Sequence, residues 1–255
     1  MKALFSKAGS KTNVNGDVET REDGAFKVIL GSLNSFNVHN ELYAATGMEE
    51  LLTVGGYHSF ASKLKRKTIK GESRHPFREP GMTDTEFVNR NLIVDNTTAS
   101  HHILEIMLEQ TTEVEKPGTN VILIWAWIKP TDNDLGRSLK ADLLDKSVNV
   151  CFSIRCFSVL RVIDGIPTRI ITSIMTWDWV DNPGMPRSAK LGISASAASL
   201  TKEDSRHEIE MTEDLIESLK DLNASQGTTT ENSGITFMLE EVERLVKKDS
   251  FIQRW

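Results

Sequence analysis

Residues 150–160 alternate apolar and polar positions without a Gly or Pro, and they are rich in β-branched and aromatic side chains, which predicts a strand. Strand side chains alternate, so Phe152, Ile154 and Cys156 share one packable face while Cys151, Ser153 and Arg155 share the other. The same signal predicts strands over 25–30, 100–109, 120–129 and 169–179. Segments 100–109 and 120–129 flank a turn at Lys116-Pro117-Gly118. The second of them is nearly all apolar and should be a central strand covered on both faces. Asp164-Gly165 predicts a hairpin that joins the Ser153 strand to 169–179. On that partner strand, alternation puts Ile170, Thr172, Ile174, Thr176 and Asp178 on one face.

A period of three to four takes over elsewhere. Met48, Leu51, Leu52, Phe60 and Leu64 predict helical structure between 47 and 70, and 135–146 reads as a short amphipathic helix leading into the Ser153 strand. Residues 77–98 read as a polar excursion. An acidic helix is expected at about 203–222, then a Thr/Asn/Ser/Gly-rich gap over 223–234. A second helix follows, whose stripe of Ile235, Met238, Leu239, Val242, Leu245 and Val246 must pack against the body or a partner. The organisation is therefore a flexible arm (1–24), a mixed α and β body (25–190) and an acidic helical C-terminal extension (191–255) behind a small-residue linker at 191–199.

Charge sharpens that division. Residues 201–255 carry seven Lys/Arg against thirteen Asp/Glu, which accounts for the whole net charge of −6, and residues 1–200 balance at 23 of each. A neutral body gives no reason to expect nucleic-acid binding. The basic group Lys63, Lys65, Arg66, Lys67 and Lys70 is the one local exception, and it reads more simply as a solvated helix face. Hydrophobic content of 39% and charged content of 26% are those of a globular protein. No apolar run approaches the ~18 residues of a spanning helix, and the N-terminal apolar stretch is too short for a secretory signal. Cys151 and Cys156 face opposite ways on one strand and cannot bridge each other, which fits a reducing compartment. No Cys/His cluster accompanies them, so neither a metal nor a cofactor is expected.

Candidate chemistry centres on three places. Ser153 with Arg155 two residues on offers a hydroxyl beside a fixed cation, although most strand serines are plain polar-face residues. His75 lies in Gly71-Glu72-Ser73-Arg74-His75-Pro76, where Pro76 forces an extended conformation on it. With Glu72 nearby, it could act as a general base. His101 and His102 point to opposite faces of their strand, so only one of them could join a site.

Three motifs in this order resemble the prohead maturation proteases of tailed bacteriophages, the myovirus-type family. They are Gly71-Glu72-Ser73-Arg74-His75-Pro76 after a helix, the strand Phe152-Ser153-Ile154-Arg155-Cys156, and a strand ending in Asp178-Trp179-Val180 that closes through Pro183 and Gly184. The match spans about residues 57–189. It departs from the family pattern at Ile154, where a second Ser is usual, and at Cys156, where Gly is usual. The resemblance implies an α+β fold: a largely antiparallel β-barrel or sheet core with flanking helices, similar to herpesvirus assembly proteases, plus the C-terminal helical tail. It implies a serine endopeptidase with Ser153 as nucleophile, His75 as base and Asp178 as third member, with His102, His101 and Glu72 as alternatives and Arg155 as oxyanion donor or support. Cys151 stands as a rival nucleophile, and an inactive scaffold or capsid component of the same fold is the non-enzymatic alternative. The implied partners are scaffold or inner-core and major capsid proteins inside the prohead, assembled in the bacterial host cytoplasm. No nucleic acid or membrane is required, self-association is left open, and self-cleavage is expected, for example at Thr229-Thr230-Glu231.

Overall fold

A computed structural model describes residues 17–191, 208–225, 230–246 and 251–254. Along the chain run β1 (Phe26–Leu33), β2 (Ser35–Phe36), β3 (Leu42–Tyr43), α1 (Met48–Thr53), α2 (Phe60–Lys65), β4 (Ile69–Glu72), α3 (Asp84–Leu92), β5 (Ala99–Gln110) and β6 (Ile122–Pro130). Then come α4 (Asp134–Leu144), β7 (Cys151–Ile163), β8 (Ile166–Val180), β9 (Glu208–Met211), α5 (Glu213–Ser225), α6 (Thr230–Val246) and β10 (Phe251–Arg254). The strands form a four-stranded sheet in the order β1-β6-β5-β4 and a six-stranded sheet in the order β2-β3-β8-β7-β10-β9. Pairing within the sheets is antiparallel except between β3 and β8, so the fold is α+β. Among the described residues the sheets stay open, and the closed barrel is not formed. They touch where β1 runs through Asn34 into β2, and where Ser73, just past the short β4, makes one isolated parallel bridge to Trp179.

The β7–β8 hairpin is the longest pairing. Asp164 (φ 53°) and Gly165 (φ 76°) supply the two left-handed residues that a tight turn matching the strand twist requires. Phe152, Ile154 and Cys156 of β7 enter the core between the sheets, beside Leu30, Ile103, Ile128 and Trp177. Met48, Phe60, Leu64 and Leu139 from α1, α2 and α4 close the ends of that core. β8 departs from simple alternation. Its register against β7 shifts twice, leaving Thr172 and Met175 as the extra residues of two bulges. As a result Ile171, Ile174 and Trp177 all reach the core, whereas Met175 packs on the outer side. The predicted one-sided row from Ile170 to Asp178 is therefore broken, and Ile174 does not share a face with Asp178.

That outer side of the six-stranded sheet carries a second apolar layer. Phe157 and Val159 of β7 and Met175 of β8 lie beneath Phe87, Val88 and Leu92 of α3, with Ile216, Leu219, Ile235, Leu239 and Val242 from α5 and α6. The stripe predicted on the last helix thus faces the body. Each aliphatic side chain buried there contributes roughly 1.5–3 kcal/mol, so α5 and α6 are packed parts of the layer. The acidic helix begins at Glu213, later than the sequence pattern suggests, because residues 208–211 form β9. Thr229 lies outside the described residues, as does most of the 191–199 linker.

Candidate active site

Ser153 sits on β7 directly opposite Asp178 on β8, with both side chains on the outer face of the sheet. That face continues along β7 through Arg155 to Phe157 and Val159, so a polar site at one end grades into the apolar layer under the helices. Gly184, in the loop after β8, passes over the serine: a Cβ placed on it would stand 3.9 Å from Ser153 Oγ.

His75 reaches this face because the end of β4 is laid against β8. Glu72 and Ser73 follow the strand, the Arg74 N–H donates to Trp179 O at 2.6 Å, and Arg74 then turns in the left-handed region (φ 72°). A non-glycine residue rarely adopts that conformation, and Pro76 restricts His75 from the other side. Gly71 explains how the approach can be so close. A Cβ there would collide with Trp177 O and with the His101 ring.

His75 Nδ1 lies 2.7 Å from Asp178 Oδ2. Asp178 is fully buried, and its Oδ1 accepts from the Glu72 N–H at 2.8 Å and from Arg155 Nη2 at 3.0 Å. Arg155 Nε also lies 2.7 Å from Oδ2, a charge contact in which the N–H is not aimed along the bond. Burial alone would raise the Asp178 carboxyl, but the Arg155 charge and the bonds from His75 and the Glu72 N–H outweigh it, leaving the group below its ordinary value. An ionised carboxylate only accepts, so the Nδ1 proton belongs to the imidazole, and in the neutral ring Nε2 carries the lone pair. Nε2 is buried and has no hydrogen-bond partner among the described residues, so Ser153 and His75 share a face without being bonded to each other. Such contacts commonly tighten only when substrate is bound.

The remaining candidates fall elsewhere. Arg155 is fully buried and directs its donors at Glu72 Oε1 (2.9 Å), Asp178 and the carbonyls of Asn91 and Ile93. It therefore supports the carboxylates and is not free to serve as an oxyanion donor. Glu72 is not bonded to His75. Its carboxylate takes Arg90 (2.6 and 3.1 Å), Arg155, Thr98 Oγ1 (2.8 Å) and the Asp95 N–H (2.9 Å). His101 is enclosed between the sheets against Phe152 and bonded to Ser100 Oγ at 2.9 Å. Burial pushes it down to about 4, so it stays neutral near pH 7. His102 is half-buried between Lys70 and Lys129 in register. Burial first, and then those two charges, lower it. The place at His75 Nδ1 that either of them would need is taken by Asp178. Cys151 is buried beside Val180 and Ala189, which pushes its thiol up to about 11. Neither cysteine is in a disulfide, and no metal-binding cluster occurs among the described residues.

Arg90 was missed by sequence reasoning altogether. It belongs to α3, inside the segment read as a polar excursion. Thr83 caps that helix through the Glu86 N–H while the Glu86 carboxylate accepts from the Thr83 N–H, a reciprocal box that Thr-x-x-Glu announces in sequence.

A buried carboxylate fixing an imidazole, next to a strand hydroxyl, supplies the parts of a hydrolase. Comparison with family models is more specific. The model described as Peptidase S80 family matches residues 5–245, nearly the whole chain, and the protein belongs to that family of peptidases. This bears out the resemblance to phage prohead proteases drawn from its three motifs. Neither the curated proteins nor the solved structures gave a match.

Proposed function

We propose that the chain is a serine endopeptidase that cleaves scaffold or inner-core and major capsid proteins inside the phage prohead, and also cleaves itself. The observation carrying this reading is the His75–Asp178 bond at 2.7 Å on the face that Ser153 shares as the cross-strand neighbour of Asp178. His75 Nε2 takes the Ser153 proton as Oγ attacks the scissile carbonyl carbon. It then returns the proton to the leaving amine as the C–N bond breaks, and water repeats the sequence on the acyl-enzyme. Asp178 holds the ring and stabilises the imidazolium. With the Arg155 guanidinium committed to carboxylates and carbonyls, the oxyanion falls to main-chain N–H groups, for which the Gly184 loop over Ser153 is a candidate.

The test is Ser153→Ala in a prohead assembly reaction. Intact scaffold and capsid precursors, with full-length enzyme, are expected by mass spectrometry. Continued cleavage would reject Ser153, and if that residual cleavage were stopped by a thiol-alkylating reagent, Cys151 would take its place. Wild-type protein that cuts nothing alongside its capsid partners would instead mark a structural component of the head.

A further inference from the structure

The charges behind His75 alternate outward in a chain: Asp178, then Arg155, then Glu72, then Arg90. Arg155 Nη2 divides itself between Asp178 Oδ1 at 3.0 Å and Glu72 Oε1 at 2.9 Å. Arg90, from α3, holds both oxygens of Glu72 at 3.1 and 2.6 Å. The division bears on the chemistry. If Arg155 were paired with Asp178 alone, the two would nearly cancel, and little negative potential would remain to stabilise an imidazolium at His75. Glu72 draws part of that cation away, and Arg90 in turn limits the negative charge of Glu72. With only 1% of Glu72 exposed and none of Arg155 or Asp178, the inner three charges are weakly screened, while the Arg90 side chain, 29% exposed, meets solvent at the outer end.

We propose that Glu72 and Arg90 are positioning residues that act through Arg155 and Asp178 to set how strongly the site favours the charged form of His75. This rests on the reading of His75 as the general base and deepens it. The other groups around the site are set apart from this balance. His101, from β5, and Cys151, from β7, stay neutral between about pH 5 and 8. Asp95, following α3, is the exception: it gives its N–H to Glu72 and its carboxylate acts on Arg90 from the outer end of the chain of charges. Arg74 and Asp181 form an exposed pair at 3.5 Å on the rim, open to screening.

The two residues have opposite charge, so their removal acts in opposite directions. A merely structural role would not do this. The experiment follows the His75 ring by NMR titration in the full-length chain carrying Ser153→Ala, with Glu72→Gln or Arg90→Gln added. Glu72→Gln is expected to move the titration midpoint down, and Arg90→Gln to move it up, each by about 0.5–1 pH unit. In the Ser153-containing chain the acid limb of the cleavage rate should move with it. Midpoints that stay put, or that move the same way in both folded variants, overturn the proposal. Should Glu72→Gln not fold, Arg90→Gln decides alone, because no upward movement there refutes it. The ring titration needs no activity, so it is read separately from the Ser153→Ala cleavage test, whose failure would reject the hydrolase reading by itself.

Discussion

Two buried arginines stand on the same hairpin, and they have different surroundings. Arg169 of β8 is fully buried, binding Glu41 through Nε and Nη2 at 3.2 and 3.0 Å and Ser158 Oγ through Nη1 at 2.9 Å, while Asn37 steadies the same carboxylate at 2.9 Å. The partners described for it include the Glu41 carboxylate and the Ser158 hydroxyl. Arg155 of β7 is just as buried, but it bridges two carboxylates, one of which holds a histidine whose second nitrogen has no described partner. A buried ion pair is therefore not itself the signature of a site. What marks the Arg155 cluster is a titratable ring held by one of its carboxylates, with the second ring nitrogen buried and without a described partner. Such an arrangement costs stability and so points to a site.

The sharpest way to break the comparison is to change the carboxylate in each cluster. Asp178→Asn should lower the turnover rate by about 10³–10⁴-fold, since the amide can donate to Nδ1 and favour the wrong tautomer. Glu41→Gln should leave turnover per folded molecule unchanged. Cleavage kinetics on an unfolding-corrected protein concentration checks both, and equal losses would erase the distinction.

Removing the cations should, by contrast, make the clusters look alike. Arg155→Met and Arg169→Met each take a buried cation away from a buried carboxylate, so each should cost about 3–5 kcal/mol in denaturant unfolding. The pH dependence then tells them apart. Asp178 is held below its unfolded value, so its contribution to stability is present above about pH 4 and is lost as the pH falls through the depressed folded value. Arg155→Met removes the main charge responsible and should flatten that acid-side loss, whereas Arg169→Met should retain it. An unchanged acid slope in Arg155→Met would show that Asp178 is held by its hydrogen bonds alone.

A smaller effect is expected at the seam that delivers His75. Gly71→Ala puts a methyl into Trp177 O and the His101 ring, and should destabilise by about 1–3 kcal/mol while pushing β4 away from β8. Activity should fall further than the folded fraction does, since the Arg74–Trp179 bond that aims His75 depends on that contact. A loss of stability with full activity in the folded remainder would mean that the loop holds its own shape.

Much of this architecture was legible because it is written in local periodicity. The β7 alternation put Ser153 and Arg155 on one face and the core residues on the other, and Asp164-Gly165 marked the turn. The stripe around Leu239 and Val242 marked a packed helix. What stayed hidden was set by contacts distant in sequence. The role of Arg155 depends on Glu72 and Asp178 arriving from two other strands, so from the sequence a cation beside a serine reads as oxyanion donor or support, with nothing local to choose between them. The two bulges of β8 defeated a strict period of two, and Ile174 changed face. The helix α3 was lost because Phe87, Val88 and Leu92 are few among polar neighbours, although the Thr83-x-x-Glu86 box was there to be read.

The smallest expected effect concerns the thiol on the same face as Ser153. Cys151 is 4% exposed and sits against Val180 and Ala189, and burial pushes it up to about 11. At pH 7 only about one molecule in 10⁴ then carries the thiolate, the form that attacks. The described contacts around it are apolar, with no cation to lower that value, and the nearby Asp181 charge raises it further. Alkylating reagents should therefore leave cleavage unaffected over hours near neutral pH, and Cys151→Ala should retain full activity. Rapid inactivation by a thiol reagent at pH 7, prevented by Cys151→Ala, would require a thiolate that this apolar pocket disfavours. It would move the nucleophile from Ser153 to the neighbouring residue on the same face.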